Sequence, residues 1–226
     1  MRDNQTGEPI RQAAIHRSWQ AHVERCKERR KFCVILAPWG HGKSEQIAIA
    51  RPLFELGRNP NLRIKIVTNT PEFAQARLQT IQQYIDKSLQ YRAVFPNIQP
   101  AHKEDWNKHK LVVERETYAE DGSVEAYGVF QTATGGRADL LIFDDVVDLN
   151  NAILNSAMRP KVIEVFHNVW LPRLEPGGFA IYIATRWHME DLTSALLSNP
   201  QWICLIQAIA EDMSYIESKL IEPVAA

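Results

Sequence analysis

Hydrophobic positions along this chain change period repeatedly, and the changes mark out alternating helices and strands. From Arg11 to Arg30, the residues Ile15, Trp19, His22, Val23 and Cys26 recur on one side of a helix, whose basic end (Lys27, Arg29, Arg30, Lys31) suits a C-terminus. Phe32 to Ala37 is a strand-sized apolar run. A helical segment from Glu45 to Leu56 stops at Gly57, with Asn59-Pro60 beyond it. Arg63 to Thr68 alternates and predicts a second strand. Thr70-Pro71-Glu72 reads as an N-cap followed by proline at the first helical position, opening a long helix to Tyr91. Lys110 to Arg115 and Val124 to Gln131 predict strands joined by the turn Glu120-Asp121-Gly122-Ser123. Then come an apolar strand (Leu140 to Phe143), a helix (Asn155 to Leu171, with Pro160 near its start) and a turn (Glu175 to Gly178). A buried strand (Phe179 to Ala184), a helix (Glu190 to Leu197) and a last strand (Trp202 to Ile206) complete the pattern.

Such alternation predicts an α/β fold with a mainly parallel sheet and helices on both faces. Ligands of such folds sit at the carboxyl ends of the strands. Ala37, Asp144 and Thr185 each follow a strand, so all are expected on that edge.

The chemistry gathers there. Pro38-Trp39-Gly40-His41-Gly42-Lys43-Ser44-Glu45 joins the first strand to its helix, the context of a phosphate-binding loop. Gly40 and Gly42 let successive N–H groups turn toward an anion, and the helix adds its positive end. Lys43 can reach the β- and γ-phosphates and the Ser44 hydroxyl can bind Mg²⁺. The first motif position holds Ala37 rather than glycine. Leu140-Leu141-Ile142-Phe143-Asp144-Asp145 is an apolar strand ending in acids. Asp144 suits the metal, and Asp145 can orient and deprotonate an attacking water. Many enzymes of this type have glutamate there. Thr185 can sense the γ-phosphate or that water, and Arg186 can carry the signal onward; a strand end with a surface arginine reads the same way. Gly135-Gly136-Arg137 offers an arginine finger, within the chain or into a neighbouring subunit; a solvated turn arginine is the bland alternative. His188, Glu190 and Asp191 resemble a metal cluster, but the acids fit a helix N-terminus better. Trp39 packs over a nucleotide or seals the turn.

Composition narrows this picture. The 226 residues suffice for one large α/β domain, and 45% hydrophobic with 23% charged residues is ordinary for a globular protein. A net charge of −1 argues against a basic module that binds nucleic acid alone, though not against a subunit lining a DNA channel. Lys103, Lys108, Lys110 and Arg115 are possible phosphate contacts, with solvated surface lysines the plainer account. Cys26, Cys33 and Cys204 lack metal-ligand spacing; Cys33 and Cys204, in apolar strand-like runs, fit buried thiols, and a reducing, cytoplasmic setting fits best. No run reaches membrane-spanning length, no signal-peptide core is present, and the polar start, Met1 to Glu8, is expected to fray.

Taken in order, the loop Pro38 to Ser44, the segment Gly135 to Asp145, Leu171-Pro172-Arg173-Leu174-Glu175-Pro176-Gly177-Gly178 and Ala184-Thr185-Arg186-Trp187-His188-Met189-Glu190-Asp191-Leu192 resemble the large terminase subunit of tailed bacteriophages, over His16 to Glu211. The resemblance implies a P-loop NTPase of the ASCE/RecA-like type that hydrolyses ATP with Mg²⁺ to move double-stranded viral DNA into a procapsid. It implies Pro38 to Glu45 for the nucleotide, Ser44 and Asp144 for the metal, and Lys43, Asp145, Arg137, Thr185 and Arg186 for catalysis and coupling. Gln12, His16 and Trp19 are candidates for the adenine. Implied partners are the portal protein, the small terminase subunit and a C-terminal nuclease domain. The implied setting is a ring of copies on the procapsid portal in the host cytoplasm, with a monomer in isolation and no membrane. Residues 1–30 are expected as a helical segment on a 31–226 ATPase core, with the nuclease domain absent and no DNA cleavage by this chain. Many relatives carry arginine where Trp39 stands. A helicase-like ATPase and a nucleotide-binding module without turnover are the alternatives.

Overall fold

The central strands are apolar at nearly every position because both of their faces are covered. The computed structural model describes residues 12–101, 105–131, 136–209 and 215–223. Met1 to Glu8, Arg11, Lys103 and Gly135, which the sequence singles out, lie outside them. The strands are β1 (Phe32–Leu36), β2 (Ile64–Thr68), β3 (Lys110–Leu111), β4 (Val124–Gly128), β5 (Ala138–Asp144), β6 (Leu174–Ala184), β7 (Trp202–Ile209) and β8 (Tyr215–Ile221). They form one eight-stranded sheet in the order β3-β4-β2-β5-β6-β1-β7-β8. Pairing is parallel throughout except at the outer strands β3 and β8, which are antiparallel. β6 lies between β1 and β5 and pairs with both.

Alternation along each strand sends side chains to opposite faces and builds two cores. The helices are α1 (Ala14–Glu28), α2 (Ala50–Arg58), α3 (Pro71–Lys87), α4 (Leu89–Val94), α5 (Met158–Val165) and α6 (Leu192–Leu197). On one face, Trp19 and Val23 of α1, Leu56 of α2 and Leu78 of α3 cover Cys33, Ile35 and Ile142. On the other, Val162 of α5, Phe166, Trp170 and Leu192 of α6 cover Val34, Phe143 and Tyr182. The Phe143 and Phe166 rings lie 4.6 Å apart, and the Trp170 indole donates to the Val129 carbonyl at 2.9 Å. Among the described residues no helix is long and apolar enough to cross a membrane.

Several predicted boundaries shift for local reasons. The helix expected to reach Tyr91 breaks at Ser88, whose hydroxyl accepts from the Tyr91 N–H at 3.2 Å and caps α4. The helix expected over Asn155 to Leu171 begins at Met158, turns π-helical at Phe166–Trp170 and ends as a 3-10 turn, Leu171–Arg173. Pro160 falls in its first turn, where a missing N–H costs least. The turn expected at Glu175 to Gly178 is a bulge inside β6: Leu174 pairs with Ala138 and Phe179 already with Leu140. The hairpin near Gly122 is present, with β3 reduced to Lys110–Leu111. β8 is an additional strand, a polar-patterned edge with no strong apolar signal.

All three cysteines are free and buried. Cys26 and Cys33 meet His22 across α1 and β1, with ligand atoms within 4.8 Å of one another, a proximity that sequence spacing hides. The His22 Nε2 lies 3.2 and 3.1 Å from the carbonyl oxygens of Val34 and Ile203. The Cys26 sulfur lies 3.6 Å from Nε2 and 4.0 Å from Nδ1, beside the ring rather than along either lone-pair axis. The cluster therefore satisfies a buried imidazole through the backbone and packs thiols against it.

Truncating either core should show in stability. Trp170→Ala is expected to cost about 3–5 kcal/mol, whereas Phe73→Ala, on the solvent side of α3, should stay within about 0.5 kcal/mol. Chemical denaturation of both variants checks this.

Candidate nucleotide site

The loop between β1 and α2 owes its path to Gly40 and Gly42, whose φ values of +79° and +73° lie in the left-handed region. A π-helical turn, Ser44–Ile49, then leads into α2. α1 closes over the loop from one side. His16 Nε2 lies 3.0 Å from the His41 carbonyl oxygen, and the Gln12 amide donates to Gln46 Oε1 at 3.0 Å. Trp19, grouped with them as an adenine candidate, is fully buried and donates to Gln207. It belongs to the core, and that expectation is corrected.

Lys43 folds back on the loop. Its ammonium donates to the Ala37 and Pro38 carbonyls at 2.9 and 3.0 Å and to the Thr185 hydroxyl at 3.0 Å. Burial lowers its pKa, against the pull of Asp145 and Asp144. Ser44 donates to Asp144 Oδ1 at 2.9 Å. Asp144 ends β5 with only 2% exposure. Asp145 turns the chain in the left-handed region, at φ +47°, one of the few side chains that tolerates it. Its Oδ1 accepts from the Thr185 N–H at 3.1 Å. Burial first, then the Asp144 charge, raises its carboxyl to about 6, with Lys43 among the groups opposing.

Lys43, Ser44, Asp144, Asp145 and Thr185 therefore share one edge, joined by hydrogen bonds. Pro38, Gly40, His41 and Glu45 rim the loop, while Trp39 is 84% exposed and seals nothing. Arg186 is exposed, its guanidinium 3.2 Å from the Met189 sulfur. Arg137 sits on the opposite edge: it precedes Ala138, the first residue of β5, whereas Asp144 is the last. Six residues of strand separate those ends, about 20 Å. In this arrangement Arg137 does not reach the loop of its own chain. Its backbone N–H donates to Asp121 and its guanidinium to the Pro172 carbonyl. Of the possible DNA contacts, Lys110 pairs with Asp105 and Arg115 binds the Ala119 and Asp121 carbonyls, so both serve local structure. Asp191 caps α6 through the Ser194 N–H, as expected for an acid at a helix start.

Two residues at this edge carry no motif signal in the sequence. Arg77 of α3 donates from Nε to Asp144 Oδ2 at 2.9 Å. The Asn69 amide donates to Asp148 at 2.7 Å. Only pairing explains them. β2 lies beside β5 with Thr68 opposite Asp144, so the start of α3 emerges next to the acidic strand end.

No protein-family model matches the chain, and no curated protein does. Among solved structures, the HK97 bacteriophage large terminase matches 93% of this chain with a TM-score of 0.61 at 15% identity. An arginine-to-alanine variant of the Thermus phage P74-26 large terminase ATPase domain matches 90% with a TM-score of 0.52 at 17% identity, over 88% of its own length. The chain has the fold of a large terminase ATPase domain. It spans 42% of the HK97 large terminase. Among the described residues, this terminase-like α/β fold carries the P-loop strand and the acidic strand one strand apart, with Thr185 at the end of the strand between them.

Asp145 gives a pH test. Its folded pKa, about 6, lies above the ordinary carboxylate value, so the folded chain holds an extra proton between about pH 4 and 6. Stability should fall as pH rises through that window. Asp145→Asn should therefore stabilise the metal-free protein at pH 8 by about 1–3 kcal/mol, with the gain gone below about pH 4. Denaturant titrations at both pH values check it.

Proposed function

We propose that this chain is a Mg²⁺-dependent ATPase that serves as the motor domain of a large terminase, driving double-stranded DNA into a procapsid. The observation that carries the proposal is the bonded set Lys43–Thr185–Asp145 and Ser44–Asp144 at the carboxyl edge of this fold. The donors suit both the metal and the nucleotide. Hydroxyl and carboxylate oxygens at the loop mouth are the hard donors that Mg²⁺ takes, and glycines with left-handed backbones open the loop to phosphate. When bound, the metal neutralises charge on the phosphate oxygens.

The chain's own residues carry the remaining roles. Loop N–H groups and Lys43 hold the triphosphate; Lys43 exchanges its carbonyl partners for phosphate oxygens. Ser44 and Asp144 hold the metal. Asp145 accepts the proton of the attacking water, and a carboxyl near pKa 6 is a better base at neutral pH than an ordinary aspartate. Thr185 bonds both Lys43 and Asp145, which suits it to sensing the γ-phosphate. Arg186 faces outward, where it can pass that state to a neighbouring segment. Arg137 acts, in this proposal, on the site of an adjacent copy in a ring. The portal, the small terminase subunit and a nuclease domain are its proposed partners.

Steady-state ATP hydrolysis against protein concentration tests the proposal. Turnover should rise more than linearly with protein, and Lys43→Ala should lower it by about 100-fold or more. Binding without turnover, unchanged by Asp145→Asn, would instead identify a nucleotide-binding module. Mixing Lys43→Ala with Arg137→Ala chains should restore part of the activity that each lacks alone; no recovery at any ratio removes Arg137 from a neighbour's site.

A further inference from the structure

We infer that Arg77 is a positioning residue for Asp144: it holds one carboxylate oxygen from α3 so that the other faces Ser44 and the metal. The inference rests on the ATPase proposal above and names a residue that the loop and strand motifs do not contain.

The two oxygens of Asp144 have different partners. Oδ1 accepts from Ser44 at the loop, and Oδ2 accepts from Arg77 Nε, both at 2.9 Å. The carboxylate side chain is 1% exposed and that of Arg77 26%. A carboxylate so buried needs hydrogen-bond donors on both lone-pair sides. Arg77 supplies the charge without occupying the Ser44 side. The χ2 torsion of an aspartate is soft, so a carboxylate with one partner rotates. With Arg77 fixing Oδ2, rotation would break a charge-assisted bond, and Oδ1 stays aimed at the loop. Ligating carboxylates are commonly held by such outer partners, and their loss weakens metal affinity.

α3 is anchored well enough for this task. Its buried face, Ala74, Leu78, Ile81 and Ile85, packs into the core. Its first residue, Pro71, lies against Gly128, where an added Cβ would come within 2.8 Å of the Pro71 nitrogen. Asn69, just before α3, is tied to Asp148. Arg77 thus projects from a helix fixed at its start on the edge that carries Asp144.

The test measures nucleotide binding rather than turnover. A fluorescent ATP analogue is titrated against wild type, Arg77→Gln and Arg77→Lys, in EDTA and across a range of Mg²⁺. Arg77→Gln should leave metal-free binding within about two-fold of wild type and raise the Mg²⁺ needed for half-maximal tightening by about 10-fold. Arg77→Lys, which keeps the charge, should recover part of that shift. Thermal melting with and without Mg²⁺ confirms that each variant is folded. A lower Mg²⁺ requirement in Arg77→Gln would make Arg77 a competitor of the metal and overturn the inference. An unchanged requirement with a lower melting temperature would overturn it too, leaving Arg77 a structural ion pair. If wild type binds no nucleotide at any Mg²⁺ concentration, the ATPase proposal fails, and this inference with it.

Discussion

The candidate site depends on satisfying one buried carboxylate at the end of an apolar strand. Asp144 closes β5 with almost no contact with water. Burying such a group without hydrogen-bond partners is costly. Its oxygens therefore require donors from elsewhere in the chain, and two distant elements provide them: the loop after β1 through Ser44 and the helix after β2 through Arg77. Asp145 bears the cost of the proximity. Its carboxyl is raised by burial and by the charge of its neighbour, and its backbone takes a conformation that side chains avoid.

Much of this was legible in the sequence, and the parts that were not share a cause. Helix α1 buries Ile15, Trp19, His22, Val23 and Cys26, the residues that helical periodicity lined up. Strands β1, β2, β5 and β7 fall where apolar runs or alternation put them. Such patterns are local, and burial on both faces makes them strong. The outer strands β3 and β8 were shortened or missed because one side of an edge strand has no partner to impose a pattern. The break at Ser88 was visible only as a serine, a residue that either continues a helix or caps the next one.

The site divides the same way. The loop and the acidic strand are contiguous motifs, so their chemistry can be read residue by residue. The Asp144–Arg77 pair joins residues 67 apart, and only the adjacency of β2 and β5 brings them together. Arg137 shows the opposite case. It is close to Asp144 in the chain, yet an extended strand carries it to the far edge of the sheet. Sequence separation is a poor guide to distance in both cases, because a strand spends residues on length while sheet pairing spends none.

The strand between β1 and β5 also sets a dimension. Neighbouring strands lie about 4.8 Å apart, so inserting β6 holds the β1 and β5 backbones roughly 10 Å from each other, a distance that side chains bridge. Adjacent strands would halve that spacing. Thr185 stands at the tip of the spacer, bonded to Lys43 on one flank and to Asp145 on the other. Whatever widens or narrows the gap must stretch or compress one of those bonds, so this single residue works as a caliper across the site.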